Sequence, residues 1–545
     1  MISPHLISVR VREWARRAFT LDARSLAVFR MAIGGIVCAD ALLRTRDFWL
    51  MFAPDGMFPL DVLQRYHGDR CIWSLAFLSD TAGWNACVLV LEGTAGALLA
   101  MGVWTQLATI TAWVAVVSVV HRTTPATNAG DLWLTCLLFW SMFLPLGSTW
   151  SLDHKRARMS GQPGVCGGIF SPASPASPAS PASPASPASP ASPASAALVL
   201  QIAAVYFSAG LSKLNHSWLS GDALVYALSV HDHGTRLGQM LVSFVWIVVP
   251  ATWAVVGLEI CGPCLLLAIA SPPLRGWLVV LFITFHLLIM STMTVGLFGF
   301  IGVAAWLAII PAAAWDRLLS RAATPPSIFS ANSGLSAEPQ ASMGPGRRCR
   351  LLGPMLGQGF CILAGGLALV GLLYANTPWQ SVPLARPLAA ALHLTSLWQD
   401  WPMFGEVIRQ EQWVYAAAEL ADGRKVDVLR GGRPLETIRP TNGFLSLPHH
   451  RWHKLFWELP RLRQRVFAPS VAAAIARHWN ATHNAHEQIR TLEIRFTKWS
   501  DTPADDSLQE FLIATWPPRD PVGSGNLDRL LDEDLSRSHL RSTLD

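Results

Sequence analysis

The chain has 545 residues, of which 51% are hydrophobic and only 14% charged, with a formal net charge of +6. This balance excludes an ordinary water-soluble globule. The positive charge gathers between apolar stretches, where it acts as a topology signal and gives no ground for nucleic-acid binding. The nine cysteines fall mainly in apolar stretches and imply no disulfide framework.

Residues 1–25 carry five arginines and no uninterrupted apolar core, so they predict a cytoplasmic amphipathic lead-in and no cleavable signal peptide. About nine apolar spans follow: Leu26 to Arg44, Gly83 to Gly102, Gln106 to His121, Asp131 to Leu146, Ala197 to Lys213, Phe244 to Ala270, Trp277 to Val295, Phe298 to Pro311, and Gly353 to Tyr374. Basic residues cluster in alternate connections, Lys155, Arg156 and Arg158 in one, Arg317, Arg321, Arg347, Arg348 and Arg350 in another. That bias predicts a multi-pass protein of the cell membrane with a cytoplasmic N-terminus, and an odd number of crossings puts everything after Tyr374 outside.

Between spans four and five, Ser171 to Ser195 is a Ser-Pro-Ala repeat within a linker over 159–196. Proline at every third position opposes helix and favours an extended spacer. A second polar connection covers 316–352, ahead of the last span at 353–375. Residues 376–516 change character. Gln412 to Leu420 and Lys425 to Leu429 flank Asp422 and Gly423, a hairpin signature. Ser470 to Asn484 fits a helix, and Thr491 to Trp499 alternates like a half-buried strand. The predicted fold is an α-helical polytopic membrane bundle with a small extracytoplasmic α+β domain and a polar tail over 517–545.

The polar residues inside the spans carry the functional expectations. Arg30, Asp40 and Arg44 fall within about 80° of one another around the first helix and share a face. That face must look into the bundle, toward candidates such as Glu92, Asp131, Glu259 and His286. Lys213 ends span five, with Tyr206 almost two turns before it. As an ammonium Lys213 is a membrane-interface anchor; as a neutral amine it is a base. Tyr206 either positions a ligand or anchors at the interface, and His286 is either a ligand contact or a structural hydrogen-bonding group. Cys261 and Cys264 flank Gly262 and Pro263 with the spacing of a metal half-site, but no second ligand pair accompanies them; they read as packing residues at a proline kink, and no metal site is expected. Asn215 and Asn480 each begin a glycosylation sequon.

The stretch from Val205 to Trp218, Val-Tyr-Phe-Ser-Ala-Gly-Leu-Ser-Lys-Leu-Asn-His-Ser-Trp, followed by Gly221, resembles the segment that bears the base lysine of vitamin K-dependent gamma-carboxylases and of their bacterial relatives, the horizontally transferred transmembrane (HTTM) family. Arg30 and the run Asp40 to Asp47, Asn128 ahead of span four, Trp150 to Asp153, and Phe285, His286 and Gly296 to Phe298 match in order. The resemblance covers about Leu26 to Pro311 and, more weakly, Leu397 to Trp499. It implies Lys213 as the base and Tyr206, Arg30, Asp40, Arg44, Asn128, His286 and Trp218 as pocket residues. It further implies a reduced quinone, reduced vitamin K or menaquinone, as cofactor. In the family a neutral amine deprotonates the hydroquinone, oxygen adds, and the resulting alkoxide removes a glutamyl proton before CO2 attacks. The implied partners are therefore the lipid bilayer, quinol, O2, CO2 and a Glu-containing protein or peptide. Arg30 or Arg44 beside Lys213 would favour its neutral form. The carboxylases have a histidine after the matching asparagine, where this chain has Ala129. A non-catalytic HTTM protein that binds lipid or a partner is the alternative.

Overall fold

The computed structural model describes residues 4–68, 70–160, 188–189, 191–229, 233–322, 347–376, 384–401, 403–405, 407, 410–440, 446–461, 463–500 and 508–518. Most of the Ser-Pro-Ala linker, most of the connection over 316–352 and nearly all of the tail lie outside these residues.

The lead-in is helix α1 (Pro4–Phe19). Helix α2 (Ala23–Arg44) follows, N-capped by Asp22, whose side chain accepts from the Arg24 amide. Next come α3 (Ala82–Met101), α4 (Thr105–Arg122) and α5 (Ala129–Ser141), and then the short α6 (Leu152–Met159). The remaining bundle helices are α7 (Pro193–Ser212), α8 (Val245–Ala268), α9 (Pro272–Thr292), α10 (Phe298–Leu307), α11 (Ala312–Ala322) and α12 (Arg347–Ala375).

Among the described residues, six helices are long and apolar enough to cross a membrane: α2 with its continuation to Met51, α3, α7, α8, α9 and α12. A seventh candidate is α10 with α11, bent by 84° at their junction. The expected spans three and four are α4 and α5, which pack within the same core through Ala112, Val116, Trp133 and Leu137. They fall outside that set for physical reasons. Helix α4 carries four hydroxyl residues and ends on His121 and Arg122, and α5 has 13 residues, a length of roughly 20 Å. The expected linker also ends earlier than 196. Pro193 is the first helical residue of α7, where proline's missing N–H costs nothing, and Ser192 caps the helix through Ser195.

Helices α2 and α3 touch backbone to backbone. A Cβ on Gly34 would lie 2.5 Å from the Ala100 nitrogen, and one on Gly96 would lie 2.8 Å from the Gly34 oxygen. Paired glycines permit the close crossing on which membrane helices rely when no hydrophobic force drives them together.

The C-terminal region is an antiparallel sheet of β1 (Gln410–Leu420), β2 (Lys425–Asp427), β3 (Arg433–Pro434), β4 (Ile489–Ser500) and β5 (Leu508–Trp516), in the order β3-β2-β1-β4-β5. Gly423 has φ +87°, as the turn between β1 and β2 requires. Val414, Ala416 and Ala418 of β1 and Leu492, Ile494 and Phe496 of β4 form one apolar face. That face packs on α14 (Ala468–Thr482), close to the expected helix. An additional amphipathic helix, α13 (His450–Glu458), was not foreseen. The core beneath α13 and α14 continues into Leu50, Phe52, Phe58, Leu63, Val88 and Val119, so the sheet domain is seated on one end of the bundle.

Candidate functional site

Three buried polar sets occupy the region where these two parts meet and the helices just below it. In the first, Arg44 on the last turn of α2 donates to Asp40 at 2.8 Å, to Asp131 at 3.1 Å and to the Thr123 hydroxyl at 3.0 Å. Arg451 reaches down from α13 and donates to Asp40 at 2.6 Å and to Asp131 at 2.9 and 3.1 Å. Two guanidiniums thus face two aspartates in a closed square of three helices. Asn128 builds one corner: its Oδ1 accepts from the Gly130 and Asp131 amides while Asp131 Oδ2 accepts from the Asn128 amide, a capping box that orients the carboxylate. Asn128 is therefore a positioning residue here. Glu92 is fully buried beside this square, and neither of its oxygens accepts a hydrogen bond from the described residues.

Arg30 does not join the set. Ten residues along a helix is roughly 15 Å, so a shared face does not mean a shared depth. Its guanidinium donates to the Trp150 carbonyl at 2.7 Å at the opposite end of the bundle, in space left by Gly102, whose φ is +69°. Neither Arg30 nor Arg44 supplies the cationic neighbour expected of Lys213.

That neighbour is a carboxylate. In the second set, Lys213 Nζ lies 2.8 Å from Glu259 Oε2 and donates to the carbonyls of Ala209 at 3.1 Å and Met403 at 2.8 Å, with the Trp218 ring 5.2 Å away. Both ionic side chains are buried, Lys213 at 2% and Glu259 at 6% exposure. Gly210 makes the pair possible, because a Cβ there would meet the Glu259 backbone at 3.1 Å and hold α7 away from α8. The residues after Lys213 grip one chain segment: Asn215 donates to the Gly405 carbonyl, and Trp218 donates to that of Phe404 at 2.8 Å. The segment from Lys213 to Trp218 is a bracket for residues 403–405. The amide of Asn215 is thus engaged, as is that of Asn480, which exchanges hydrogen bonds with the Ile489 backbone.

The third set lies below the second. The Tyr206 hydroxyl accepts from Trp306 Nε1 at 2.8 Å and is 2.6 Å from His286 Nε2. At 1% exposure Tyr206 is a core residue and not the interfacial anchor that was one expectation. Phe282, Phe298 and Trp133 surround the pair. His286 Nδ1 and Trp133 Nε1 are buried with no hydrogen-bond partner among the described residues. Two unpaired polar atoms thus lie within a closely packed aromatic nest. Lys213 and Tyr206 share a helix side, separated by roughly 10 Å along it.

Histidines line the seam between the sheet domain and the bundle. The His450 ring fills the space over Gly296, where a Cβ would come within 2.7 Å, and the His453 and His233 rings lie 4.6 Å apart. Burial pushes His450 down to about 4, helped by Arg451, and burial holds His233 at about 4. Asp47 on the bundle accepts from His449 and, at 3.0 Å, from Trp452. Neither Arg451 nor these contacts is apparent from local sequence pattern. The one available signal was the aromatic and basic run His449 to Lys454.

No group of three or more His, Cys, Asp or Glu among the described residues is arranged to hold a metal. No curated protein and no solved structure matches the chain. Residues 190–315 match the model of the HTTM domain. The match spans α7 to α10, the helices that bear or adjoin Lys213, Tyr206, Glu259 and His286, and with the membrane-length apolar helices it points to a multi-pass membrane protein that is similar to the HTTM domain over residues 190–315.

Proposed function

We propose that the protein is a membrane enzyme akin to the gamma-carboxylases it resembles, with Lys213 and Glu259 as its proton-handling centre and a reduced quinone as its substrate. The observation that carries this reading is one buried ammonium facing one buried carboxylate at 2.8 Å within the segment that matches the HTTM model. Taken out of water, a proton on Lys213 Nζ can pass to Glu259 Oε2, exchanging an ion pair for an amine and an acid with no net charge created. Glu259 thus frees the amine in place of the cationic neighbour that the sequence suggested. A bound quinol would supply the reducing electrons and the acidic hydroxyl. His286 Nδ1 and Trp133 Nε1 would orient its ring oxygens, and the surrounding aromatic side chains would exclude water. Coupling to carboxylation of a Glu-containing protein is the fullest form of the proposal. So is a nine-crossing topology with α1 cytoplasmic and the sheet domain outside, which the basic residues of the connections support.

A specific observation favours a second reading. Lys213 donates to the carbonyls of Ala209 and Met403 while its charge faces Glu259, which is what a brace for residues 403–405 needs. Oxygen-dependent quinol epoxidation by protein in nanodiscs separates the two, with wild type beside Lys213→Arg, Lys213→Met and Glu259→Gln. Arginine keeps the charge but cannot give up a proton. Product from wild type and none from a folded Lys213→Arg protein supports the base. Equal activity in Lys213→Arg supports the brace, and no product from wild type removes the quinone reading.

A further inference from the structure

The end of the bundle that carries the N-terminus holds a cavity of about 610 Å³ between α1, the start of α9 and the α10–α11 junction. One wall is basic: Arg16 and Arg17 on the last turn of α1, and Arg275 on the first turn of α9. Arg275 is 7% exposed and donates to the carbonyls of Arg17 at 3.0 Å, Thr20 at 3.0 Å and Ala18, so it caps the end of α1 and fixes that wall. Trp14 fastens the same helix to the end of α8 through the Leu267 carbonyl at 2.7 Å. Arg16 and Arg17 are exposed and make no ion pair among the described residues, nor does Arg275. Of the two acids in the lining, Asp22 already holds Arg24 in a bidentate pair at 2.8 and 2.9 Å, which leaves Glu13 against three guanidiniums. The other wall, with Ile310 and Pro311, is apolar and continuous with the ends of membrane helices.

A cavity that is basic toward the aqueous edge and apolar toward the bilayer matches one kind of molecule. We infer that it binds the phosphate of an anionic phospholipid headgroup, the exposed guanidiniums of Arg16 and Arg17 taking the phosphate oxygens and the apolar wall meeting the glycerol and upper acyl carbons. The amphipathic α1 lies where a headgroup enters, and its arginines would be held by the lipid they recognise. This site is independent of the proton chemistry proposed for the other end of the bundle.

Native mass spectrometry of the full chain, equilibrated with equal amounts of phosphatidylglycerol and phosphatidylcholine, tests the assignment. The wild type is expected to retain phosphatidylglycerol about tenfold over phosphatidylcholine. Arg16→Gln with Arg17→Gln, both exposed and free of structural bonds, is expected to abolish that preference at an unchanged Tm. Glu13→Gln, which removes the opposing charge, is expected to increase it. Equal retention of the two lipids by wild type, or an unchanged preference in the double variant, overturns the proposal. Displacement of phosphatidylglycerol by millimolar inorganic phosphate alone assigns the site to a free anion and overturns it as well.

Discussion

Two buried ionic sets stand where the bundle meets the sheet domain, and they are built on opposite plans. The square of Asp40, Arg44, Asp131 and Arg451 balances two charges with two, and each member is held by more than one partner. The pair of Lys213 and Glu259 is a single contact between two helices, completed by backbone carbonyls. A multiply bonded square has no proton to spare and no freedom to move, which suits a joint. A lone pair of groups that can each exist neutral suits proton exchange. The difference shows why buried charge alone does not mark an active site: the number of partners matters as much as the burial.

Arg451→Ala is expected to have the largest effect on the joint. It leaves Asp40 and Asp131 sharing one guanidinium, and loss of one partner from a buried pair costs about 3–5 kcal/mol. The sheet domain is expected to become protease-sensitive while the bundle stays folded, as limited proteolysis would reveal; an unchanged digestion pattern would mean that the apolar seam alone holds the domain. Acid should act on the same joint. His450 and His233 are neutral when docked and titrate at about 4, against an ordinary histidine value near 6.5. Since the docked values are depressed, their contribution is complete above about 6.5 and is lost as the pH falls toward 4, on the order of 3 kcal/mol for each ring. Arg451, Lys454 and His449 oppose protonation there, and Asp131 and Asp40 favour it for His450. Domain protection followed by hydrogen exchange from pH 7 to 4 should fall across that window, and His450→Asn should flatten the decline.

Smaller effects sharpen the other side. Gly210→Ala places a methyl 2.7 Å from Ile260 Cγ1 and 3.1 Å from the Glu259 backbone, so α7 and α8 must part. Overpacking of this kind costs about 1–3 kcal/mol, read as a lower Tm, and it should stretch the Lys213–Glu259 contact without touching the square. Tyr206→Phe removes the hydroxyl that joins Trp306 and His286, leaving buried groups unpaired at about 1–3 kcal/mol. Tm should fall by less than in Arg451→Ala, with the sheet domain still protected.

Much of this arrangement was legible in the chain. Composition and apolar runs gave the bundle, Asp422 and Gly423 gave the hairpin, and helical periodicity placed Asp40 and Arg44 on an inward face; of their candidate partners Asp131 joins them, whereas Glu259 pairs with Lys213 and His286 with Tyr206. Periodicity reports angle and not depth, which is why Arg30 was grouped with residues roughly 15 Å away. It is also silent about what faces a residue from elsewhere. A base lysine is favoured by a cationic neighbour, so Arg30 or Arg44 is the expected companion of Lys213, whereas the helix crossing at Gly210 brings up Glu259. Arg451 lies on a helix whose short amphipathic run competes with strands on either side, and nothing local ties it to the first span.

The partner that completes Asp40 lies 411 residues further along the chain. Until α13 is made, Asp40 on the first membrane helix and Asp131 on α5 must therefore share the single guanidinium of Arg44. The joint is thus a late closure between the first membrane helix and α13, and a chain truncated before residue 451 would leave two buried aspartates with one guanidinium between them.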